Sequence, residues 1–366
     1  MAKDIHRKPF DEGTKAKLSI FQDYLKEWLP VFIAKREIYW ENINIYDFFA
    51  GPGSDKNGIK GTPLLILDEL EIYLEKINEK SLNVNLYFNE FDHNKFEELK
   101  LKVGAYGLDS KPYRIDFDSL DFKDAFKKMA TSMAKPDVAN LVFLDQNGVK
   151  HISEGVFKYL IAIKRTDFLF FISSSTIKRF CDHPNIIQHI NLSIEEVEKK
   201  PYHQIHRLIL DYYQSLIPEN KELYLAPFSL KKGANIYGLI FGSSHVLGIE
   251  KFLSTCWKLD SERGEANFDI DNDNIKEGQI DLFSGELDKP KKVELFEKEL
   301  CEKILNQTLK TDKEIYLFTI TNGFLPSHAK DVIKSLFNKN KIVNTSLPLH
   351  SKLCRYDAVL TSVILK

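Results

Sequence analysis

The chain is poor in the residues that build cross-linked or metal-clipped folds. Its 366 residues include only four cysteines, Cys181, Cys256, Cys301 and Cys354, and no two share a C-x-x-C spacing. That argues against a zinc ribbon or an iron–sulfur cluster held by this chain alone, and for reduced, mostly structural thiols. Long apolar runs are also missing. The longest, such as Phe168-Leu169-Phe170-Phe171-Ile172, have the length of a strand, and Met1-Ala2-Lys3-Asp4-Ile5-His6-Arg7 lacks the apolar core of a signal peptide, so a cytoplasmic protein is expected. The formal net charge is only -2, which leaves no global field to attract nucleic acid. No third glycine completes G-x-G-x-x-G, and G-K-[ST] is absent, so neither the dinucleotide fingerprint nor a phosphate loop is present.

What is present is a hydrophobic content of 43%, ordinary for a globular protein, in a chain long enough for two domains. Apolar β-prone runs alternate with helical patterns. Strands are expected at 43–49, 84–90, 113–116, 141–145, 167–173 and 236–241. Helices are expected at 14–34, 63–80, 94–103, 121–133 and 154–164, and after Gly242-Ser243-Ser244 as far as Lys258. Thr62 followed by Pro63 reads as an N-cap and first helical position. The alternation implies parallel strands with right-handed crossovers, a doubly wound, Rossmann-like α/β sheet. Residues 175–222 interrupt it with a helical, histidine-containing insertion. Its His183, His189, His203 and His206 have no carboxylate partners at ligand spacing, so no metal is assigned.

The most informative stretch is Asp47-Phe48-Phe49-Ala50-Gly51-Pro52-Gly53. It joins the end of the first strand to a glycine turn that leaves backbone room for a bound cofactor, and it points to an S-adenosylmethionine site. Ligands of open α/β sheets lie beyond the carboxyl ends of the strands, and Asp47, Glu90, Asp116 and Asp145 all fall at or near expected strand ends. Four carboxylates at one structural phase favour a shared crevice over four unrelated turn or cap residues.

Charge divides the rest of the chain. Residues 260–288 hold ten acidic residues against Arg263 and Lys276, whereas residues 300–366 hold ten Lys/Arg against five Asp/Glu. The expected organisation is therefore an α/β domain over 1–260, an acidic linker over 261–289 and a basic module over 290–366. Within that module, helices at 312–320 and 326–338 are joined by Thr321-Asn322-Gly323-Phe324-Leu325 and followed by a β-prone tail. This is the order of a winged helix-turn-helix, with Ser327, His328, Lys330 and Lys334 on or near the recognition helix.

Tyr24-Leu25-Lys26-Glu27-Trp28-Leu29-Pro30, DFFAGPG at 47–53, Gly61-Thr62-Pro63-Leu64 and FLDQNGVKHI at 143–152, taken in this order, resemble the three-Cys-motif partner proteins. Gly323-Phe324-Leu325-Pro326 resembles the start of the winged-helix module that ends many of them. The resemblance spans nearly the whole chain. It implies a class I methyltransferase-like fold, S-adenosylmethionine as cofactor, and a separate partner with a three-cysteine, radical-enzyme-like motif. It also implies a loop formed by Asp47, Ala50, Gly51 and Gly53, with Glu90 on the ribose hydroxyls (Asp92 as the alternative) and Asp116 on the adenine.

The fourth motif departs from the family's pattern. Where the family resembles Leu-Asp-Pro-Phe-Gly, this chain reads Leu144-Asp145-Gln146-Asn147-Gly148, keeping the acid and the glycine but losing the proline and the aromatic. Asp145 and Asn147 are then the expected catalytic residues, with Asp145 orienting or accepting from the target group and Gln146 and Asn147 hydrogen-bonding a polar substrate. The leading expectation is an S-adenosylmethionine-dependent methyltransferase acting on DNA, RNA or its partner's substrate. The alternative is a non-catalytic, methyltransferase-like scaffold that docks a partner and uses its winged helix for recognition. A metal-dependent nuclease on Glu90, Asp92 and Lys95 is a weaker third, because the D…ExK order is not met.

Overall fold

A computed structural model describes residues 9–35, 40–146, 148–275, 279–280, 288–344 and 346–366. The chain forms two compact units, Met1–Ser244 and His245–Lys366.

In the N-terminal unit, helix α1 (Glu12–Leu29) precedes β1 (Asn42–Asp47), α2 (Thr62–Glu71), α3 (Leu74–Glu79), β2 (Asn83–Asn89), α4 (His93–Gly104), β3 (Tyr113–Asp118), α5 (Phe122–Met133) and β4 (Val138–Leu144). There follow α6 (Glu154–Ala162), β5 (Thr166–Ile172), the short helices α7 (Ser174–Arg179), α8 (Pro184–Ile187) and α9 (Ile194–Lys199), then α10 (Ile205–Ser215), β6 (Tyr224–Lys232) and β7 (Asn235–Ser243). The strands form one seven-stranded sheet in the order β3-β2-β1-β4-β5-β7-β6. All run parallel except β7, which is antiparallel to both β5 and β6. This is the doubly wound Rossmann-like sheet with the reversed strand of class I methyltransferases. The central strands are buried on both faces, and every residue of β4 is buried, its one polar residue, Asn140, donating to the Met133 carbonyl and the Thr166 hydroxyl.

Several local features differ from the sequence reading for identifiable reasons. Strand β6 escaped it because Pro227 and two terminal lysines break the pattern; as the edge strand, β6 tolerates a proline. The 63–80 helix is two helices, α2 and α3. Thr62 is the first residue of α2 rather than its cap, because its hydroxyl is turned to the Asp47 carboxylate. The first helix begins earlier, capped by Asp11, and ends in a π-helical turn at Pro30–Ala34. The insertion packs Ile186, Ile190, Val197, Ile205, Ile209 and Tyr213 into one face of the sheet's core. His206 is part of that core, its Nε2 2.9 Å from the Leu239 carbonyl oxygen.

The C-terminal unit contains α11 (Val246–Leu259), α12 (Lys291–Leu305), α13 (Asp312–Thr321) and α14 (Pro326–Asn338). The compact units therefore divide before α11, although the change in charge lies further on. The stretch expected as a linker is folded over 260–275. Arg263, only 4% exposed, pairs with Glu262 at 2.8 Å, Asp269 at 3.2 Å and Asp273 at 3.3 Å, and Ile270 is fully buried. Part of the acidity read from composition is thus an internal ion-pair cluster. Phe324 is also buried, stacked on Phe296 at 3.8 Å between centroids, and α13 starts with a full capping box from Thr311 and Glu314. The tail pairs through single bridges, Thr311↔Ser362 and Ile342↔Leu365, which is the minimal wing.

Two strand glycines are fixed by close approach. A Cβ on Gly238 would lie 1.8 Å from the His206 ring, and one on Gly242 would lie 2.1 Å from the Phe168 ring. Gly242→Ala is therefore expected to destabilise the fold by about 1–3 kcal/mol through overpacking, read as a lower denaturation midpoint in urea. Alanine at the exposed Gly58 has no such overlap, but its φ of +80° should still cost some stability, so the comparison separates packing from backbone strain.

Candidate active site

Strand β1 sits between β2 and β4, where the direction of the crossovers reverses, and a cleft of about 660 Å³ opens beyond the strand ends. Its floor is the turn after β1. Gly51 and Gly53 have φ of +63° and +81°, a conformation that side chains with a Cβ disfavour. The Gly53 carbonyl accepts a 2.7 Å hydrogen bond from the N–H of Gly61, closing the turn onto the start of α2.

Asp47 lies behind this floor, fully buried, and does not line the cleft. It accepts hydrogen bonds from the Thr62 hydroxyl and, at 3.1 Å, from the Phe49 N–H. Burial pushes its carboxyl up to about 7 against the pull of those two donors. Gly51 and Gly53 also shape the floor without lining it, whereas Ala50, Gly61 and Thr62 face the cleft.

Glu90 is the acid at the rim. It follows β2, and its two carboxylate oxygens accept from the Gly51 N–H at 2.9 Å and the Asp92 N–H at 2.8 Å. Burial raises its pKa, with those backbone donors and Lys95 acting in the opposite sense. Asp92 instead caps α4, accepting from the Asn94 and Lys95 N–H groups. Among the described residues no three or more His, Cys, Asp or Glu side chains are grouped to hold a metal ion, and His183 and His245 act as helix caps.

The structure does not bring Asp116 to the cleft. Strand β3 continues to Asp118, so Asp116 is mid-strand, in register with Tyr87, and lines a separate polar cavity of about 340 Å³ with Asn44, Asn85 and Arg114. The residues beyond β3 that do reach the cleft are Leu120, Asp121 and Phe122. The expected strand end was two residues short, because Phe117 and Asp118 carry no stop signal.

The fourth motif is split. Asp145 lines the cleft and forms an ion pair with Lys17 of α1, whose side chain is 9% exposed and also lies 4.8 Å from the Phe171 ring centroid. Gln146 does not line the cleft: fully buried, its Oε1 accepts from the N–H groups of His151 at 2.8 Å and Ile152 at 3.4 Å, tying down the following loop. Asn147 lies outside the described residues. Aromatic groups that motif reading missed complete the walls. Phe49, Phe122 and His151 pack within 5.3 Å of one another, and burial lowers His151 to about 4 so that it is neutral near pH 7. Phe91, directly after Glu90, lines the cleft yet is 71% exposed. An aromatic next to a strand-end acid was the available signal for Phe91. No local signal marked Lys17, which arrives from 128 residues away in sequence.

In the C-terminal unit, Lys330 and Lys334 are exposed on α14, with no ion-pair partner among the described residues. His328 is instead held inward, its Nδ1 accepting from the Leu325 N–H at 3.1 Å and its ring 4.2 Å from that of Trp257.

Residues 269–347 match the family model of the GMT-like wHTH domain. No curated relative matches the chain. Among solved structures, Trm1 from Pyrococcus horikoshii, determined with S-adenosyl-L-methionine, is similar at 11% identity and a TM-score of 0.37, over 68% of this chain and 62% of that one. The METTL16 MTase domain is similar at 11% identity and a TM-score of 0.30, over 60% and 66%. An O-methyltransferase from Bacillus cereus in complex with SAH is similar at 10% identity and a TM-score of 0.33, over 64% and 91%. This chain thus spans less than two thirds of the Trm1 and METTL16 chains it matches. Such scores are too low to carry an argument about the site; the fold class follows from the strand order itself. No helix among the described residues is long and apolar enough to cross a membrane.

Folding raises the Asp47 carboxyl above its ordinary value of 3.8, so it favours the protonated form. The stability contributed there is complete below about pH 4 and lost as the pH rises toward 7. Asp47→Asn, neutral throughout, should remove that slope, and the difference between the two proteins in denaturant titrations should change by up to about 1.4 kcal/mol per pH unit. A difference that is flat from pH 4 to 7 would mean that the buried carboxyl is already ionised at pH 4.

Proposed function

We propose that the chain is an S-adenosylmethionine-dependent methyltransferase-like protein that works on nucleic acid or on the substrate of a three-cysteine, radical-enzyme-like partner. The observation that carries the cofactor reading is the Glu90 carboxylate. It is fixed at the rim by one backbone N–H on each oxygen, and both oxygens keep lone pairs for a vicinal diol. Beside it the Ala50 backbone comes close through the glycine turn, and the exposed Phe91 offers a face for an adenine ring. Asp121 and Leu120 take the adenine-edge position in place of Asp116. S-adenosylmethionine supplies an electrophilic methyl group when bound. The chain's own contribution is to hold the acceptor in line with it and to accept a proton or hydrogen bond from the acceptor at the Asp145 carboxylate.

The second reading, a non-catalytic scaffold that docks a partner, has one observation in its favour: Lys17 already pairs with Asp145, so an acceptor would have to compete with that ammonium for the carboxylate. Methyl transfer from labelled S-adenosylmethionine to nucleic acid, abolished by Asp145→Asn, would favour the enzyme. Undiminished partner binding without transfer would favour the scaffold.

Calorimetric titration with S-adenosylmethionine or S-adenosylhomocysteine should give saturable binding, and Glu90→Ala should weaken it by ~1.5–3 kcal/mol, the range for hydrogen bonds to a charged group. No heat with either ligand, alone or with the partner present, would overturn the cofactor reading. For the winged helix, we expect nucleic-acid binding that weakens steeply with salt and is reduced by removing the Lys330 and Lys334 charges. Because Phe324 is core, its substitution tests folding, not recognition.

A further inference from the structure

The fourth motif has lost its aromatic residue, yet the cleft has not lost aromatic surface. Beyond Asp145, on the β5 and β7 side, Phe171 and Tyr237 stack on each other at 5.1 Å with an interplanar angle of 17°. Both line the cleft and both are only partly buried. They come from antiparallel neighbours, Ile172 being opposite Gly238, so the pair is built into the rigid sheet and not into a loop. Lys17 lies over the Phe171 ring and at the same time pairs with Asp145. One wall of the cleft therefore presents the Tyr237 ring, backed by Phe171, next to a carboxylate acceptor and an ammonium donor held side by side.

We infer that this wall is the acceptor subsite and that it takes a single unstacked nucleobase. Tyr237, held in place by Phe171, supplies the stacking surface that the motif itself lacks, and the Asp145–Lys17 pair reads an edge on which a donor and an acceptor are neighbours. Bases carry such edges: an amino group beside a ring nitrogen, or a ring N–H beside a carbonyl. A purely aliphatic or unsubstituted aromatic acceptor would offer no hydrogen-bonding edge to the lone pairs and N–H donors that the Lys17–Asp145 pair leaves open to the cleft. The inference rests on the methyltransferase reading for the direction of chemistry, but base binding is measurable without cofactor.

The test uses the full chain and a short single-stranded oligonucleotide carrying one central 2-aminopurine, titrated with and without S-adenosylhomocysteine. Stacking predicts quenched 2-aminopurine fluorescence, and an affinity that drops when the central nucleotide is made abasic and the oligonucleotide is followed by an end label. Tyr237→Ala and Phe171→Ala should each weaken binding about 5- to 100-fold, the range for loss of one base–aromatic stack, while S-adenosylhomocysteine affinity measured by calorimetry stays within about twofold. Tyr237→Phe should restore stacking. Equal affinity for the abasic and base-bearing strands in the wild-type protein would overturn the inference without relying on any variant. So would unchanged affinity in both alanine variants. Failure of S-adenosylhomocysteine to bind the wild-type protein would count against the cofactor reading alone, since the quenching experiment without cofactor still decides the subsite.

Discussion

The contact on which the site depends is the buried one between the Asp47 carboxylate and the Thr62 hydroxyl. It joins the carboxyl end of the central strand to the first residue of α2, across the fourteen intervening residues that form the glycine turn and its loop. With the Phe49 N–H on its other oxygen, Asp47 fixes both ends of the turn, and the Gly61 N–H to Gly53 carbonyl bond closes the middle. The cost of burying this carboxyl shows in its raised pKa. What that cost secures is the position of Ala50 and, through the Gly51 N–H, of Glu90. The acid that sequence position suggests for ligand contact thus acts one layer back, as a brace for the residues in contact.

The strand–helix alternation was legible because the buried central strands are rich in β-branched, aliphatic and aromatic residues, the asparagines among them, such as Asn44 and Asn140, being hydrogen-bonded within the core. The glycine turn and Glu90 were legible because each depends on a short local pattern. Three kinds of information were not. Edge strand β6 lacks the alternation that marks a strand, because it meets solvent at one side and carries Pro227. Strand β3 runs two residues past Asp116, and that small difference leaves Asp116 mid-strand and brings Leu120, Asp121 and Phe122 to the cleft. Lys17 meets Asp145 only because α1 packs against β4 and β5, seen in the Phe21–Phe143 ring contact and the Tyr24–Asp167 hydrogen bond. No local window contains that pairing.

Composition misled in the acidic stretch for a related reason. A run of carboxylates looks solvated when counted along the chain, but Arg263 gathers three of them, and Lys291 and Lys292 of α12 pair with Asp273 and Glu265. Glu262, Glu265, Asp269 and Asp273 are thus matched inside the C-terminal unit, while Lys330 and Lys334 of α14 are exposed. Net charge per segment therefore overstated the linker and understated the fold.

The two halves of the cleft ask different things of their ligands. Over β1, β2 and the turn after β3, the anionic groups are Glu90 and Asp121, a setting that suits a positively charged sulfonium and a diol. Over β4, β5 and β7, Asp145 is matched by Lys17 beside the Phe171 and Tyr237 rings, with Leu230, Lys150 and Lys232 also lining the cleft. A neutral, flat acceptor suits that half better than an ionic one, because a second charge would have to break the Lys17–Asp145 pair and leave one partner uncompensated near the protein interior. Without a proline or an aromatic after Asp145, the cleft still has an acid and rings: Gln146 holds the following loop, Phe171 and Tyr237 stand on the sheet, and Asp145 lines the cleft.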